Sequence, residues 1–290
     1  MFDYASLAAL AAVLREGGFD KAAAALGVTP SAVSQRVRGL EERFGAALVA
    51  RGRPPQPTKA GARLVAHFER VRLLESEIGA PVPGTAPALR VAVNADSLAT
   101  WFPAAAAAFA RAAGATLDIA LDDEAHTAER LRNGDALAAV TVESDPAPGC
   151  RVRKLGALRY VAAASPDFAR RHFPRGADAA SLARAPVLRF DRRDELQTRW
   201  ARARFGSGAL GPAHFVPATQ GFVDCCAEGL GWAMHPRALI GPALAAGRLV
   251  ELAPRKPFDV ALHWQQVRLP SAPLEALARA VRDAAARALV

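Results

Sequence analysis

Cysteine, methionine and tyrosine are scarce in this chain of 290 residues, which has only 3, 2 and 2 of them. Cys150, Cys225 and Cys226 form no C-x-x-C pair and share no metal-ligand spacing with a histidine. The six histidines are scattered, and none pairs with another at i+3 or i+4. We therefore expect no metal site, and we interpret Cys225-Cys226 as small apolar filling in a helix rather than as a redox device.

Long apolar runs and catalytic motifs are also missing. No run approaches the ~18–20 apolar residues that a membrane span needs, and the amphipathic start of the chain does not have the form of a signal peptide. The patterns G-x-S-x-G, G-x-x-x-x-G-K-[ST], H-E-x-x-H and G-x-G-x-x-G are absent. These absences predict a soluble, cytoplasmic protein that binds no membrane, uses no cofactor and is not an enzyme.

The charge balance is basic, with a formal net charge of +9 and a sequence pI near 10.4. A basic balance favours a polyanion such as nucleic acid as the partner. The arginines are spread along the whole chain, however, so solvated surface arginine explains the charge equally well. Charge by itself does not decide between these interpretations.

Residues 19–51 carry the clearest local pattern. An alanine-rich helical run is interrupted at Gly27, and Thr29-Pro30 then has the form of a helix start, with threonine as the N-cap and proline in the first turn. The next helix has an apolar face at helical spacing, formed by Ala32, Val33, Val37 and Leu40. Two short helices joined by a tight turn, the second polar and basic outside, predict a helix-turn-helix.

We expect the second of these helices to enter the DNA major groove with its N-terminal turn nearest the bases. Serine and glutamine can hydrogen-bond base edges, and arginine can reach guanine or phosphate. A proline-rich return after residue 48 predicts a wing, whose arginines would hold the DNA backbone. The candidate DNA-binding residues are Thr29, Pro30, Ser31, Ser34, Gln35, Arg36, Arg38, Arg51 and Arg53.

A long helix is predicted from Thr58 to about residue 78. Its apolar positions recur at a spacing near 3.5, which favours a dimerisation seam, and they are Ala60, Leu64, Val65, Phe68, Val71, Leu74 and Ile78. An ordinary amphipathic helix on the domain core remains the alternative. The Pro- and Gly-rich stretch 79–87 is the clearest linker. We therefore divide the chain into a DNA-binding domain at 1–58, a dimerisation helix and hinge at 59–87, and a further domain at 88–290.

The pattern changes from residue 88 onward. Strands and helices alternate, beginning with a strand over 88–95, and this alternation predicts a parallel α/β sheet with helices on both faces. Crossovers at 160–165 and 263–269 would divide the region into lobe I, residues 88–161 and 268–290, and lobe II, residues 162–267. Two such lobes are the layout of a domain that holds a small molecule in its cleft.

Ligands of open α/β sheets lie beyond the carboxyl ends of the strands. Helix starts predicted at Ser97 and Thr219 would offer N–H groups to an anion, and neighbouring acids would suit a cation. A zwitterion with an extra positive charge fits this combination, although the acids do not distinguish lysine, arginine and polyamine. The candidate ligand-binding residues are Asn94, Asp96, Ser97, Trp101, Asp122, Glu124, Thr141, Asp191 and Thr219.

Several residues at fixed spacing resemble the N-terminal domain of LysR-type transcriptional regulators. They are Ala22-Ala23, the run S-A-V-S-Q-R at 31–36, Leu40-Glu41, Phe44-Gly45, Leu48, Arg51 and Thr58-x-x-Gly61. The resemblance covers the whole chain. It implies a winged helix-turn-helix, a linker helix and a two-lobed α/β effector domain like a periplasmic binding protein. It also implies a dimer or tetramer that binds an inverted repeat in double-stranded DNA and contacts RNA polymerase.

Within that family the chain resembles the ArgP/LysG branch, through VNADSLATW at 93–101, DDE at 122–124, KLGALRY at 154–160 and RGRPPQPT at 51–58. This resemblance implies a regulator that senses lysine or arginine and controls genes such as one for a basic amino-acid exporter. Three alternatives stay open: a regulator with another effector, an architectural protein of the chromosome or its origin, and an enzyme carrying a DNA-binding tag.

Overall fold

A computed structural model describes residues 3–50, 52–75, 88–113, 115–122, 130–132, 135–254 and 257–290. The predicted linker 79–87, Ile78, Arg51 and Glu124 lie outside the described residues. The helices are α1 Tyr4–Glu16, α2 Phe19–Leu26, α3 Pro30–Phe44, α4 Lys59–Glu75, α5 Ala95–Thr100, α6 Phe102–Ala113, α7 Pro166–His172, α8 Ala179–Leu182, α9 Leu196–Phe205, α10 Thr219–Ala227, α11 Arg237–Ala245 and α12 Ala272–Ala288. The strands are β1 Val49–Ala50, β2 Gln56–Pro57, β3 Ala88–Asn94, β4 Thr116–Asp122, β5 Ala138–Thr141, β6 Cys150–Ala164, β7 Val187–Arg189, β8 Ala213–Phe215, β9 Ala233–Pro236, β10 Val250–Glu251 and β11 Phe258–Val267.

The predicted helix-turn-helix is confirmed, and its local signals act as expected. Thr29 Oγ1 accepts a hydrogen bond from the Ala32 amide at 3.2 Å, so threonine caps α3 and Pro30 occupies the first turn. Gly45 ends α3 with φ at +68°, a left-handed conformation that glycine adopts without strain. Val33, Val37 and Leu40 are buried against α1 and α2, whereas Ala32 is only half-buried.

The predicted wing is the antiparallel pair of β1 and β2, and its base is tied to two helices. One carboxylate oxygen of Glu41, in α3, accepts hydrogen bonds from the amides of Leu48 and Val49 at 2.8 and 3.3 Å. The Thr58 hydroxyl donates to the Ala47 carbonyl at 2.8 Å and accepts from the Gly61 amide at 3.1 Å, so it also caps α4. These bonds fix the direction in which the wing and α4 leave the domain.

Some of the α4 residues that are predicted to form a dimer seam are buried within the chain itself. Leu64 and Phe68 are buried in the core of the winged helix, while Leu73 is buried in the core of the C-terminal domain. The alternative of an amphipathic helix packed on its own domain therefore holds for Leu64 and Phe68. Leu74 is 36% exposed, so the apolar surface left for a partner is smaller than the heptad pattern indicates.

The main sheet of the C-terminal domain is mixed: the three strands whose alternation with helices predicts a parallel sheet are parallel, and later strands add antiparallel pairing. Strand β3 is parallel to β4 and β5, but β11 is antiparallel to both β5 and β6. The order is β10-β6-β11-β5-β3-β4, with β9 also on β6. The chain returns from lobe II to the first half of the sheet through the long strand β11, which runs antiparallel to its two neighbours.

Strands β6 and β11 run alongside each other through both lobes. The pairing shifts register between Leu262 and His263, and residues 263–266 of β11 also pair with β5 in lobe I. The irregularity thus lies at the start of the predicted second crossover, 263–269, and before the predicted end of lobe II at 267. A small parallel pair, β7 and β8, belongs to lobe II.

Other differences from the sequence-based expectations are local. The helix predicted over 97–114 is two helices, α5 and α6, which meet at Trp101. Of the helix predicted over 126–134, residues 130–132 are described, and they are helical. Helices α9 and α11 and strand β10 were not predicted. Helix α9 carries five charged or polar residues among its ten, and α11 contains Pro242, so neither shows a clear amphipathic pattern.

Gly61 is required by a close approach of two backbones. A Cβ atom at this position would lie 2.0 Å from the Leu48 carbonyl oxygen, closer than any real contact. We predict that Gly61→Ala destabilises the winged helix by about 1–3 kcal/mol, because α4 must move away from the wing base. Calorimetric unfolding of the full chain measures this as a lower midpoint for the transition of the N-terminal domain.

Gly39→Ala is the matched control, since a Cβ atom at Gly39 meets nothing within 4 Å and the residue is exposed inside α3. Alanine in a helix interior is more favourable than glycine by roughly 0.5–1 kcal/mol, so this variant should be at least as stable as the parent. An unchanged midpoint for Gly61→Ala would contradict the predicted clash.

Candidate functional sites

The polar face of α3 is open to solvent. Ser31, Gln35 and Arg38 are exposed, and Ser34 is half-buried between them. Thr29 and Pro30 are exposed at the start of the helix, next to the first turn of α3. Side chains at i, i+3, i+4 and i+7 lie on one helical face, so these residues can approach one groove of DNA together.

Arg36 differs from the other candidate DNA-binding residues. It is half-buried and faces the start of α1. The pKa of Asp3 there is lowered mainly by hydrogen bonds from Ser6 and Ala5, and the charge of Arg36 makes a smaller contribution in the same direction. Arg53 is exposed in the wing. The surface that the structure brings together therefore consists of Ser31, Gln35 and Arg38 on the helix and Arg53 beside it.

The carboxyl ends of β4, β3 and β5 lie side by side in lobe I. Asn94 is paired with Asp122 of β4, and Thr141 ends β5 on the other side. Asn94 and Thr141 are buried, with 3% and 0% of their surface exposed. The strand-end residues predicted from the sequence are thus adjacent at one edge of the sheet, as expected. The side chain of Asp122 lies outside the described residues.

The helix after β3 begins earlier than predicted. It starts at Ala95 rather than at Ser97, and the Asn94 side chain is its N-cap, accepting from the Ser97 amide at 3.2 Å. The Thr141 hydroxyl oxygen accepts from the Glu143 amide at 3.1 Å. Asn94 and Thr141 each accept a hydrogen bond from a nearby main-chain amide, and the side chains of α5 follow directly after Asn94.

Two side chains of this region are buried without hydrogen-bond partners in the part of the chain that the structure describes. The Ser97 hydroxyl and the Trp101 Nε1–H make no hydrogen bond, although the exposed fractions of these residues are only 0% and 3%. Trp101 packs edge-on against Phe102 with ring centroids 5.8 Å apart. A buried donor without an acceptor is unfavourable, and a polar ligand placed here would supply the acceptor that these two groups lack.

Tyr160 is a residue of this region that the sequence did not reveal. Its hydroxyl donates a hydrogen bond to Asp96 Oδ2 at 2.7 Å. Tyr160 lies in β6 and its side chain is fully buried, whereas Asp96 is half-buried in the first turn of α5. A lone tyrosine in a strand has no spacing signal that would have linked it to Asp96, 64 residues earlier.

The candidate residues of lobe II, Thr219 and Asp191, are linked to the strand ends of lobe I less directly than the residues of α5 are. Helix α5 contacts α10 and α11 of lobe II, so the start of α10 at Thr219 belongs to the same cleft. Asp191 lies in a turn after β7, where it accepts from the amides of Arg193 and Asp194 at 2.7 and 3.0 Å. Partial burial opposes ionisation of Asp191, but the bonds and charge of Arg193 outweigh it and lower its pKa. Asp191 thus has an internal role in its turn.

Metal binding and membrane insertion find no support in the described ranges. Within them, no cluster of three His, Cys, Asp or Glu side chains is arranged to hold a metal ion. No helix of the same ranges combines the length and the hydropathy of a membrane span.

The winged helix with its exposed polar face, followed by a two-lobed α/β domain with unpartnered polar groups in its cleft, defines a DNA-binding protein controlled by a ligand. Two family models match the chain. Residues 4–62 match the bacterial regulatory helix-turn-helix protein of the lysR family, and residues 84–286 match the LysR substrate binding domain. The chain belongs to the LysR family of bacterial transcriptional regulators.

Similar proteins and solved structures support this assignment. The regulator ArgP of Pseudomonas aeruginosa is 45% identical over 273 residues, which are 92% of this chain and 91% of that protein. The crystal structure of ArgP from Mycobacterium tuberculosis matches 100% of this chain and 99% of its own, with TM-score 0.80 and 42% identity. Full-length LysG of Corynebacterium glutamicum with the bound effector Arg matches 99% of each chain, with TM-score 0.69 and 39% identity.

His235 lies in β9, in the core of lobe II under α10. Its ring packs edge-on against Phe222 at 5.2 Å, and complete burial lowers its pKa to about 3. The unfolded chain binds a proton below about pH 6.5, whereas the folded protein does so only near pH 3. The free energy of unfolding should therefore fall as the pH decreases through this window, by at most about 1.4 kcal/mol per pH unit from this group.

His235→Leu should remove this part of the pH dependence. Urea unfolding of both proteins between pH 4 and pH 7.5 measures it: the variant loses less stability on acidification than the parent does. Equal slopes for the two proteins would show that His235 is not kept neutral by burial.

Proposed function

We propose that this regulator senses a basic amino acid, arginine or lysine, in the cleft of its C-terminal domain. The observation that carries the proposal is the pair of unpartnered donors, Ser97 and Trp101, beside the carboxylate of Asp96. Donors without acceptors suit the carboxylate of an amino acid, and Asp96 suits its cationic end. The bound effector Arg of the related LysG structure supports the same ligand class.

A zwitterion with an extra positive charge would use both the unpartnered donors and the carboxylate of Asp96. The α-carboxylate would accept from the Ser97 hydroxyl and from the first turn of α5, where the helix dipole favours an anion. The side-chain cation would meet Asp96, and we propose Asp122 and Glu124 as further partners. Thr219, at the start of α10, would approach the ligand from lobe II.

The protein would read DNA through α3 and the wing. We propose base contacts for Ser31, Ser34 and Gln35, and phosphate contacts for Arg38, Arg51 and Arg53. Arg36, which faces Asp3, would support the helix and reach DNA from its edge. Two copies joined through the exposed part of α4 would bind an inverted repeat, in a dimer or tetramer.

The output would be a change in transcription. Closure of the lobes on the effector favours one arrangement of subunits, which requires different effector affinities in the two states. We propose that this change alters DNA bending or contact with RNA polymerase in the cytoplasm, and that the controlled genes include one for a basic amino-acid exporter. Transcript measurements with and without added lysine in a deletion strain would test the target.

The DNA proposal predicts separable effects for two neighbouring residues of α3. Sequences selected in vitro by the full chain should contain two half-sites related by a dyad. Gln35→Ala should relax the preference at one base pair of each half-site, at about 1–3 kcal/mol per site. Arg38→Ala should weaken binding to all sequences and reduce the slope of log K against log salt by about 1.

Fluorescence anisotropy over a range of salt concentrations measures both effects. A variant of the C-terminal domain such as Ser271→Ala serves as the control, since its residue caps α12 far from α3. Loss of affinity without any change in base preference for Gln35→Ala would contradict its role as a base contact.

The effector proposal predicts opposite effects of Ser97→Ala on stability and on binding. Removing a buried hydroxyl without a partner should leave the effector-free protein as stable as the parent, or more stable by about 1 kcal/mol. The same change should weaken arginine or lysine binding roughly tenfold, because the ligand loses a donor. Titration calorimetry and thermal unfolding of the full chain measure the two quantities.

Ser271→Ala is the matched control, because the Ser271 hydroxyl is also buried but accepts from the Leu274 amide at 3.4 Å. Loss of this cap should cost about 1 kcal/mol of stability and leave effector affinity unchanged. If arginine, lysine and histidine all give no binding heat, the basic amino-acid proposal is contradicted and a different small-molecule effector is favoured.

A further inference from the structure

We propose that Tyr160 is the positioning residue of the cation subsite, the place where Asp96 meets the charged end of the ligand. This proposal rests on the proposed effector class. Its hydroxyl fixes the carboxylate of Asp96 so that this carboxylate receives the charged end of the ligand. Tyr160 itself need not touch the ligand. Tyr160 therefore acts by holding Asp96, and Asp96 in turn makes the site prefer a charged over a neutral ligand side chain.

The backbone of Tyr160 is held on both sides. In β6 it is paired with Phe258 of β11 and with Pro236 of β9. Its ring is fully buried in the main core of the C-terminal domain. A donor at the end of such a ring has little freedom to follow a moving acceptor, so the acceptor must take the position that Tyr160 dictates.

Asp96 is held at a second point. The Thr100 hydroxyl donates to the Asp96 main-chain carbonyl at 2.6 Å, which fixes the backbone of the first turn of α5. The Tyr160 hydroxyl fixes one carboxylate oxygen at 2.7 Å. Since an ionised carboxylate has about four acceptor positions, a tyrosine bond at one oxygen orients the group and still allows it to accept from a guanidinium or ammonium.

Tyr160 also joins two parts of the domain that the ligand must bring together. Strand β6 runs through both lobes, while Asp96 lies on α5 of lobe I, which contacts α10 and α11 of lobe II. A cation bound to Asp96 is thus linked through one short hydrogen bond to the strand between the lobes. The link holds in place the carboxylate that distinguishes a charged ligand from a neutral one of the same shape.

Tyr160→Phe tests the proposal because it keeps the buried ring and removes only the donor. Titration calorimetry of the full chain would compare arginine with citrulline, which has the same shape but no charge. We expect arginine affinity to fall about tenfold and citrulline affinity to change less than twofold. The thermal midpoint of the ligand-free protein should stay within a few degrees of the parent.

Two further variants separate positioning from general structure. Thr100→Val removes the other hydrogen bond to Asp96 without touching its carboxylate, and the ratio of arginine to citrulline affinity should stay unchanged. In an Asp96→Asn background, Tyr160→Phe should cause no further loss of that ratio, since Tyr160 acts through the charge of Asp96.

Each outcome decides between the proposals. Equal losses of arginine and citrulline affinity in Tyr160→Phe, or an unchanged arginine affinity, would overturn the positioning role and leave the sensing of basic amino acids in place. No binding of arginine or lysine by the parent protein would overturn the proposed function itself, and the positioning role with it.

Discussion

Packing of one helix in two hydrophobic cores is the constraint on which the rest of the molecule depends. Helix α4 buries Leu64 and Phe68 in the winged helix, and five residues later it buries Leu73 in the C-terminal domain. A helix rises about 1.5 Å per residue, so the two cores are separated by roughly 8 Å of stiff backbone. At its other end α4 passes so close to Leu48 that only glycine fits at position 61. Helix α4 is therefore in tight contact with the base of the wing.

The ligand cleft has its own rigid frame. Strands β6 and β11 run through both lobes, and their register shifts between Leu262 and His263, at the point where β11 comes to lie between β6 and β5. The pairing is regular on either side of this irregularity. Tyr160 lies on the same strand β6 and bonds to Asp96, so the frame and the ligand site share a hydrogen bond.

The sequence predicted the elements whose signals are local. The cap at Thr29, the wing and the strand at 88–94 are where the pattern placed them. The sequence was less informative where long-range packing decides: of the apolar positions of α4 that predict a dimer seam, Leu64 and Phe68 pack within the chain. Strand direction was also beyond it, because antiparallel return through β11 leaves no periodicity of its own. Of the ligand site, strand ends were predictable, while the Tyr160 bond across 64 residues was not.

The buried Ser97 hydroxyl has no hydrogen-bond partner among the described residues. A buried hydroxyl without an acceptor costs about 1–3 kcal/mol, and nothing in the local sequence demands serine at the third position of a helix already capped by Asn94. A ligand that supplies the acceptor recovers this free energy only when α5 and the helices of lobe II enclose it. The recovered energy thus differs between open and closed lobes, and such a difference is what a ligand needs to shift a conformational equilibrium. Leu73 of α4 belongs to the same hydrophobic core as Trp101, which lies one turn beyond Ser97.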